Sequence, residues 1–232
     1  MRRRALLLFL ATLAACAAEP TRQAGTGSDH GHDHGHDGAT VHHRFDDAER
    51  WAARFEDPGR DAWQQPERVL ELLALAPDAR VVDIGAATGY FPVRFARAVP
   101  QGVVYGVDVE PNLVNYLNLR ARREGLTNLV ALVCRTDDPG IPEPVDLVFV
   151  CDTYHHIDAR QAYFRALRGQ LRPGGRLAIV DYRAGDWPVG PPEEKKIPAE
   201  QVTAELSRAG WEPVSSHELP YQYLLLFRPA GP

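Results

Sequence analysis

The sequence predicts an α/β fold: a doubly wound, mostly parallel sheet of seven strands. Three observations carry that expectation. From residue 66 onward, short apolar runs alternate with amphipathic stretches of helical period, the pattern of strands whose connections cover both faces of a sheet. At 81–91 the chain reads "VVDIGAATGYF". There an apolar run breaks into small residues beside one carboxylate, as a strand does when it turns sharply into a helix beside a nucleotide-like ligand. The last two strand-like runs, "WEPVSSHEL" and "YQYLLLF", read as an antiparallel C-terminal hairpin.

Taken in order, residues 45–65 place Phe45, Trp51 and Phe55 near helical spacing and contain a Pro-Gly break, which predicts an N-terminal helical cap. "PERVLELLALAP" has Pro66 at a helix start and Val69, Leu70 and Leu73 on one face. "RVVDIGA" is a short buried strand, and "TGYFPVRFARAVP" is helical after its turn, with Pro92 tolerated in the first turn. "GVVYGVDV" is strand-like; "PNLVNYLNLRARREG" is a helix with Pro111 near its start and Gly125 just past its end. "LVALVC" and "DLVFVCD" are the next strands, followed by the amphipathic helix "ARQAYFRALRGQL", stopped by Pro173. "RLAIVDY" gives the fifth strand and "PAEQVTAELSRAG" a further helix. Cys134 and Cys151 fall inside apolar strand-like runs, where buried free thiols are the expectation and a disulfide the alternative.

The chain ahead of this domain, which we place at 66–232, is different in kind. "MRRR" followed by the apolar "ALLLFLATLAA" is ordered as a secretory signal. Leu13-Ala14-Ala15-Cys16 resembles the lipobox of bacterial lipoproteins. That implies removal of 1–15 and a lipidated Cys16 holding the protein to a membrane of the cell envelope, facing the periplasm or exterior. Residues 16–44 have few apolar side chains, so they cannot bury enough surface to offset chain entropy and read as a flexible tether. Within it His30, His32, His34 and His36 alternate with Gly and Asp, and neutral imidazoles on a pliant chain can gather weakly around zinc, copper or nickel. The alternative to export is translation from Val41, which leaves a cytoplasmic domain without the signal.

Charge narrows the partners. The 26 basic and 31 acidic side chains give a net charge of −5, which argues against a nucleic-acid partner. No run reaches the roughly 20 apolar residues that span a bilayer.

The turn at 83–89 points to the ligand. A dinucleotide fold wants G-x-G-x-x-G after its first strand, but Gly85, Ala87 and Tyr90 hold those places, and Tyr90 would crowd a pyrophosphate. Asp83, Gly85, Ala87 and Gly89 meet instead the template acid-x-G-x-G-x-G, with Ala87 for its middle glycine. Asp108 ends the second strand, Asp137 follows the third, and "LRPGGRL" precedes the fifth. On these residues the chain from about 66 to 228 resembles the class I S-adenosylmethionine-dependent methyltransferases. The resemblance implies that the turn lets the backbone approach the methionine and ribose parts of the cofactor. It implies further that Asp108 accepts hydrogen bonds from both ribose hydroxyls and that Asp137 reads the adenine amino group. Residues 45–65 would fold over the cofactor as a lid.

Methyl transfer from a sulfonium is an in-line displacement, so the nucleophile must be held aligned and, where necessary, relieved of a proton. Candidate groups should follow the fourth strand, in "CDTYHHID". Asp152 falls near the methyl group by resemblance, and His155 and His156 are candidate general bases near neutral pH, with a helix cap or a backbone bond as the structural alternative. Tyr154, Tyr90 and Trp63 are candidate ring faces for the sulfonium, or else core and lid. The Pro- and Gly-rich loop 183–198 suits a pocket edge. The leading reading is methyl transfer to a small-molecule nucleophile on a lipid-anchored envelope protein. The competing class is an exported, non-catalytic module binding a nucleoside-like ligand or a metal.

Overall fold

The computed structural model describes residues 48–231. The expectations for Cys16, the 16–44 tether with its four spaced histidines, Val41 and Phe45 lie outside the described residues. Five parallel strands, β1 (Arg80–Ile84), β2 (Val103–Asp108), β3 (Leu129–Val133), β4 (Val145–Cys151) and β5 (Leu171–Tyr182), lie in the order β3-β2-β1-β4-β5. The C-terminal pair forms as expected, but its later member goes inside. β7 (Gln222–Pro229) runs antiparallel between β5 and β6 (Trp211–Glu218). Burial explains the choice: residues 222–227 are all buried, whereas β6 has a buried end and then largely half-buried or exposed positions, as suits an edge.

Helices cover both faces. α3 (Pro66–Leu73), α4 (Tyr90–Ala98) and α5 (Pro111–Arg123) bury Leu73, Phe95 and Leu117 on one face; α6 (Arg160–Leu167) and α7 (Ala199–Arg208) bury Phe164 and Leu206 on the other. β4 shows the period of two directly. Leu147 and Phe149 pack on the first face and Val148 and Val150 on the second. Phe149 meets Phe91 and Phe95 of α4 at ring-centroid distances of 4.7 and 4.9 Å. Such pairs add about 0.5–1.5 kcal/mol each beyond burial and fix α4 against the sheet.

β5 starts earlier than "RLAIVDY". Leu171 pairs with Val145 and Arg176 with Leu147, so residues 172–175 form a bulge within the strand rather than a turn before it. Cys134 and Cys151 are free thiols. Among the described residues no helix is long and apolar enough to cross a membrane. Strand order reverses between β1 and β4, so the chain leaves their carboxyl ends toward opposite faces, the place where open α/β sheets take their ligands.

Candidate active site

β1 delivers Asp83 to that place, and the turn that follows carries the chain into α4. Gly85 (φ 79°) and Gly89 (φ 98°) both adopt left-handed backbone. A Cβ on Gly85 would lie 2.1 Å from Thr153 Oγ1, and one on Gly89 2.3 Å from Leu117 Cδ1. The turn therefore lies directly against the loop leaving β4 and against α5. Ala87 is left-handed too, at φ 46°, which costs its methyl group about 1–2 kcal/mol. Its amide donates to Asp108 Oδ2 at 2.9 Å, and the amides of Gly85 and Ala86 donate to the Val107 carbonyl at 2.8 and 3.1 Å. The bend is thus pinned to the end of β2.

Asp108 is buried and accepts the Glu110 amide on Oδ1 at 3.0 Å. Each of its oxygens keeps a lone pair for another donor, as a vicinal diol requires. Burial raises its pKa against the pull of the Glu110, Ala87 and Val109 amides. Asp83 is only 3% exposed, and its carboxylate has no hydrogen-bond partner among the described residues. Burial, then the charge of Asp108, push its pKa well up. A buried carboxylate without a donor is costly until a cation or donor reaches it. Asp83 and Asp108 together fit a ligand with a cationic end and a ribose.

The loop after β4 supplies the second group of residues. Asp152 adopts φ 54° and receives Arg60 Nη2 at 3.3 Å on one oxygen and the Gln222 amide on the other. Burial lifts its pKa to about 6, despite the lowering influence of Arg60. His155, in the single turn Tyr154–His156, places Nδ1 at 2.9 and 3.0 Å from the two oxygens of the fully buried Asp181. That carboxylate also accepts the Tyr182 amide at 2.8 Å. Since a carboxylate accepts, Nδ1 carries the hydrogen and Nε2 is left to take a proton. Burial pulls the His155 pKa down, but the bond to Asp181 and that residue's charge outweigh it, and the net shift is upward. His156 is exposed, its ring 4.2 Å from that of His155.

The cap folds over these strand ends as α1 (Ala48–Phe55) and α2 (Arg60–Gln64). Glu56 accepts the Thr88 hydroxyl at 3.0 Å and the Arg120 guanidinium, and Arg120 also donates to the Thr88 carbonyl. Buried Gln64 donates to Gln222 Oε1. Tyr90 lies with its ring 3.9 Å from the Arg60 guanidinium carbon, and Trp63 stacks on Tyr221.

Asp83, Gly85, Ala87, Gly89, Asp108, Asp152 and His155 are thus gathered at the carboxyl ends of β1, β2 and β4. Asp137 stands apart: its side chain is 67% exposed and held by Arg135 at 2.8 and 2.9 Å, which lowers its pKa. Tyr154 is core rather than pocket wall, since its hydroxyl donates to Glu205 and its ring stacks on Phe164. Among the described residues no cluster of three or more His, Cys, Asp or Glu is placed to hold a metal. Sequence reasoning missed Arg60, Gln64, Asp181 and Gln222. Asp181 had a signal, an acid ending the apolar run "LAIV", as Asp83 follows "VV"; nothing in "PGRDAWQQP" marked Arg60.

A small-residue bend and two buried carboxylates at the switch point of the sheet could hold an adenosine-bearing ligand with a cationic end. The methyltransferase-domain family model matches residues 75–222. The chain is 26% identical over 197 residues to 27-O-demethylrifamycin SV methyltransferase of Amycolatopsis mediterranei (strain S699), covering 78% of this chain and 70% of that enzyme. It is 32% identical over 130 residues to protein-L-isoaspartate O-methyltransferase of Aeropyrum pernix, covering 54% of this chain and 44% of that one, so it spans under half of that relative. The crystal structure of a SAM-dependent methyltransferase from Aquifex aeolicus matches with a TM-score of 0.72 at 27% identity, covering 78% of this chain and 97% of that one. The protein belongs to the methyltransferase-domain family and is an S-adenosylmethionine-dependent methyltransferase.

Proposed function

We propose that the protein methylates a small-molecule nucleophile, with His155 as general base and Asp181 as the residue that positions it. The observation that carries this reading is the His155–Asp181 pair, beside Asp152 at the mouth of the sheet. The relative named for a rifamycin acceptor supports a small molecule.

The cofactor, when bound, supplies a methyl group activated by its sulfonium. Asp108 would hold a ribose diol and Asp83 would face the cationic end, a reading supported by their burial at the strand ends. The bend at 85–89 brings backbone close to the nucleoside. With the cofactor bound, whose sulfonium would give up its methyl and leave as a neutral thioether, His155 Nε2 would take the acceptor's proton, while Asp181 would keep the imidazole in the tautomer that accepts there and stabilise the charge it gains. Only the neutral ring accepts a proton. With its pKa raised above the ordinary 6.5, turnover should climb as pH rises through that higher value.

Transfer of labelled methyl groups from the cofactor to a panel of hydroxyl, amine and thiol compounds tests the reading. His155→Ala should lose about 10²-fold or more of the turnover, the range of a lost general base, while cofactor affinity stays within about twofold. Equal turnover in the variant would contradict the assignment, and binding without transfer to any acceptor would favour the module reading.

For location we propose anchoring to the envelope through Cys16, supported by the order of charge, apolar run and small residues at 1–16. Mass spectrometry of the native N-terminus should find acylated Cys16; a chain beginning at Val41 would contradict it.

A further inference from the structure

We propose that a basic groove at the amino-terminal rim of the sheet, the end opposite the candidate active site, binds a phosphate group through Arg168 and Arg176. The groove holds about 670 Å³ and lies between the turn after α6, the bulged start of β5, Val214 of β6 and the end of β7. Its walls carry four arginines, Arg168, Arg172, Arg176 and Arg228. A chain with a net charge of −5 thus gathers four cations in one place.

Two of the four are answered by acids. Arg172 donates to both oxygens of Asp146, at 3.1 and 2.9 Å, and Arg228 Nε donates to Glu212 at 2.9 Å. The other two meet no carboxylate among the described residues. Arg168 Nη2 donates to the Ala230 carbonyl at 3.2 Å, and Arg176 Nη2 to the Leu73 carbonyl. A carbonyl satisfies one donor and brings no charge, so two positive charges stay uncompensated. Arg168 Nε is buried with no acceptor among the described residues, a state that costs free energy. The fold holds these groups together rather than letting them spread. β5 and β7 pair Leu177 with Phe227, and one step further the register sets Arg176 opposite Arg228. Like charges directly opposite on neighbouring strands are destabilising, a cost that a bound anion offsets. A Cβ on Gly210 would lie 2.4 Å from Arg168 Nη1, so glycine there lets the guanidinium lie against the backbone. Phosphate suits this set because the guanidinium fork matches its oxygens two at a time. It brings both the negative charge the groove lacks and acceptors for the donors that Arg168 and Arg176 leave unused. A free phosphorylated compound and a phospholipid headgroup present the same group.

Calorimetry on the full chain separates the two sources, using inorganic phosphate and, below its micelle concentration, dihexanoylphosphatidylglycerol. Saturable binding of phosphate supports the site and a free compound; binding of the lipid alone supports the site and a headgroup. In either case Arg168→Gln and Arg176→Gln should each weaken binding about tenfold or more, the effect of losing one charge-assisted bond. Both arginines also hold backbone carbonyls, so thermal unfolding is followed alongside. Where either variant fails to fold, Arg172→Gln decides, since that side chain is 44% exposed, and it should weaken the same ligand more than about twofold. No saturable heat with either compound, or affinities within about twofold of the unaltered chain in every folded variant, would overturn the proposal.

Discussion

At Asp83 and Ala87 the chain keeps residues that a search for stability alone would replace. Asp83→Asn replaces a carboxyl that burial makes costly to ionise, so above the ordinary Asp pKa the cofactor-free variant should be more stable, seen as a higher midpoint in thermal unfolding, and should bind the cofactor less tightly. The pH dependence has a definite sign. The folded pKa of Asp83 is raised above the 3.8 of an ordinary Asp, so the fold keeps its proton while the unfolded chain releases it. Stability then falls as pH rises between those two values, and the Asn variant should flatten that slope. Ala87→Gly relieves a left-handed alanine but adds freedom to the unfolded chain, for a net gain of at most about 1 kcal/mol in denaturant unfolding. In both cases a destabilised variant would contradict the account. At His155 the chemistry is set by a neighbour distant in sequence. Asp181→Asn removes the charge and weakens the bond that raise the imidazole pKa, so the rising limb of the pH–turnover profile should move to lower pH and the maximum should drop. A limb that stays in place would show that another group titrates.

The elements differ in how plainly the sequence announces them. Strands covered on both faces betray themselves as unbroken apolar runs, and β1, β2 and β4 are legible for that reason. The start of β5 is not legible, because "LRPGG" has turn chemistry and only its pairing of Leu171 with Val145 makes it a bulged strand. The insertion of β7 inside β6 is a pairing choice between two apolar segments that local pattern leaves open. The acids of β1 and β2 are readable from their place at strand ends, whereas order in the chain is all that marks Asp137, whose exposed carboxylate pairs with Arg135. The cap was legible as helix but not as chemistry, since Arg60 and Gln64 acquire meaning only from Asp152 and Gln222, which arrive from the other end of the chain. Its attachment can be tested. Glu56→Ala cuts the ties to Thr88 and Arg120 and should cost about 1–3 kcal/mol, with faster proteolysis at 48–65 as the readout.

Over the whole molecule, the order β3-β2-β1-β4-β5-β7-β6 places every strand end that matters on one rim. The buried acids, the bend and the imidazole come from segments far apart in sequence, and the parallel sheet brings them together without any one loop having to hold them all. That arrangement is why the site depends on the integrity of the sheet, and why β7 matters although it carries only Gln222 to the site. In the proposed function the rim clasps an adenosine through Asp108. Titrating S-adenosylmethionine into the protein and into Asp108→Ala tests it directly. One saturable site is expected in the unaltered chain and an affinity about a hundredfold or more weaker in the variant, as befits two lost ribose bonds to a carboxylate at about 1.5–3 kcal/mol each. No saturable heat, or a difference below about twofold, would contradict it.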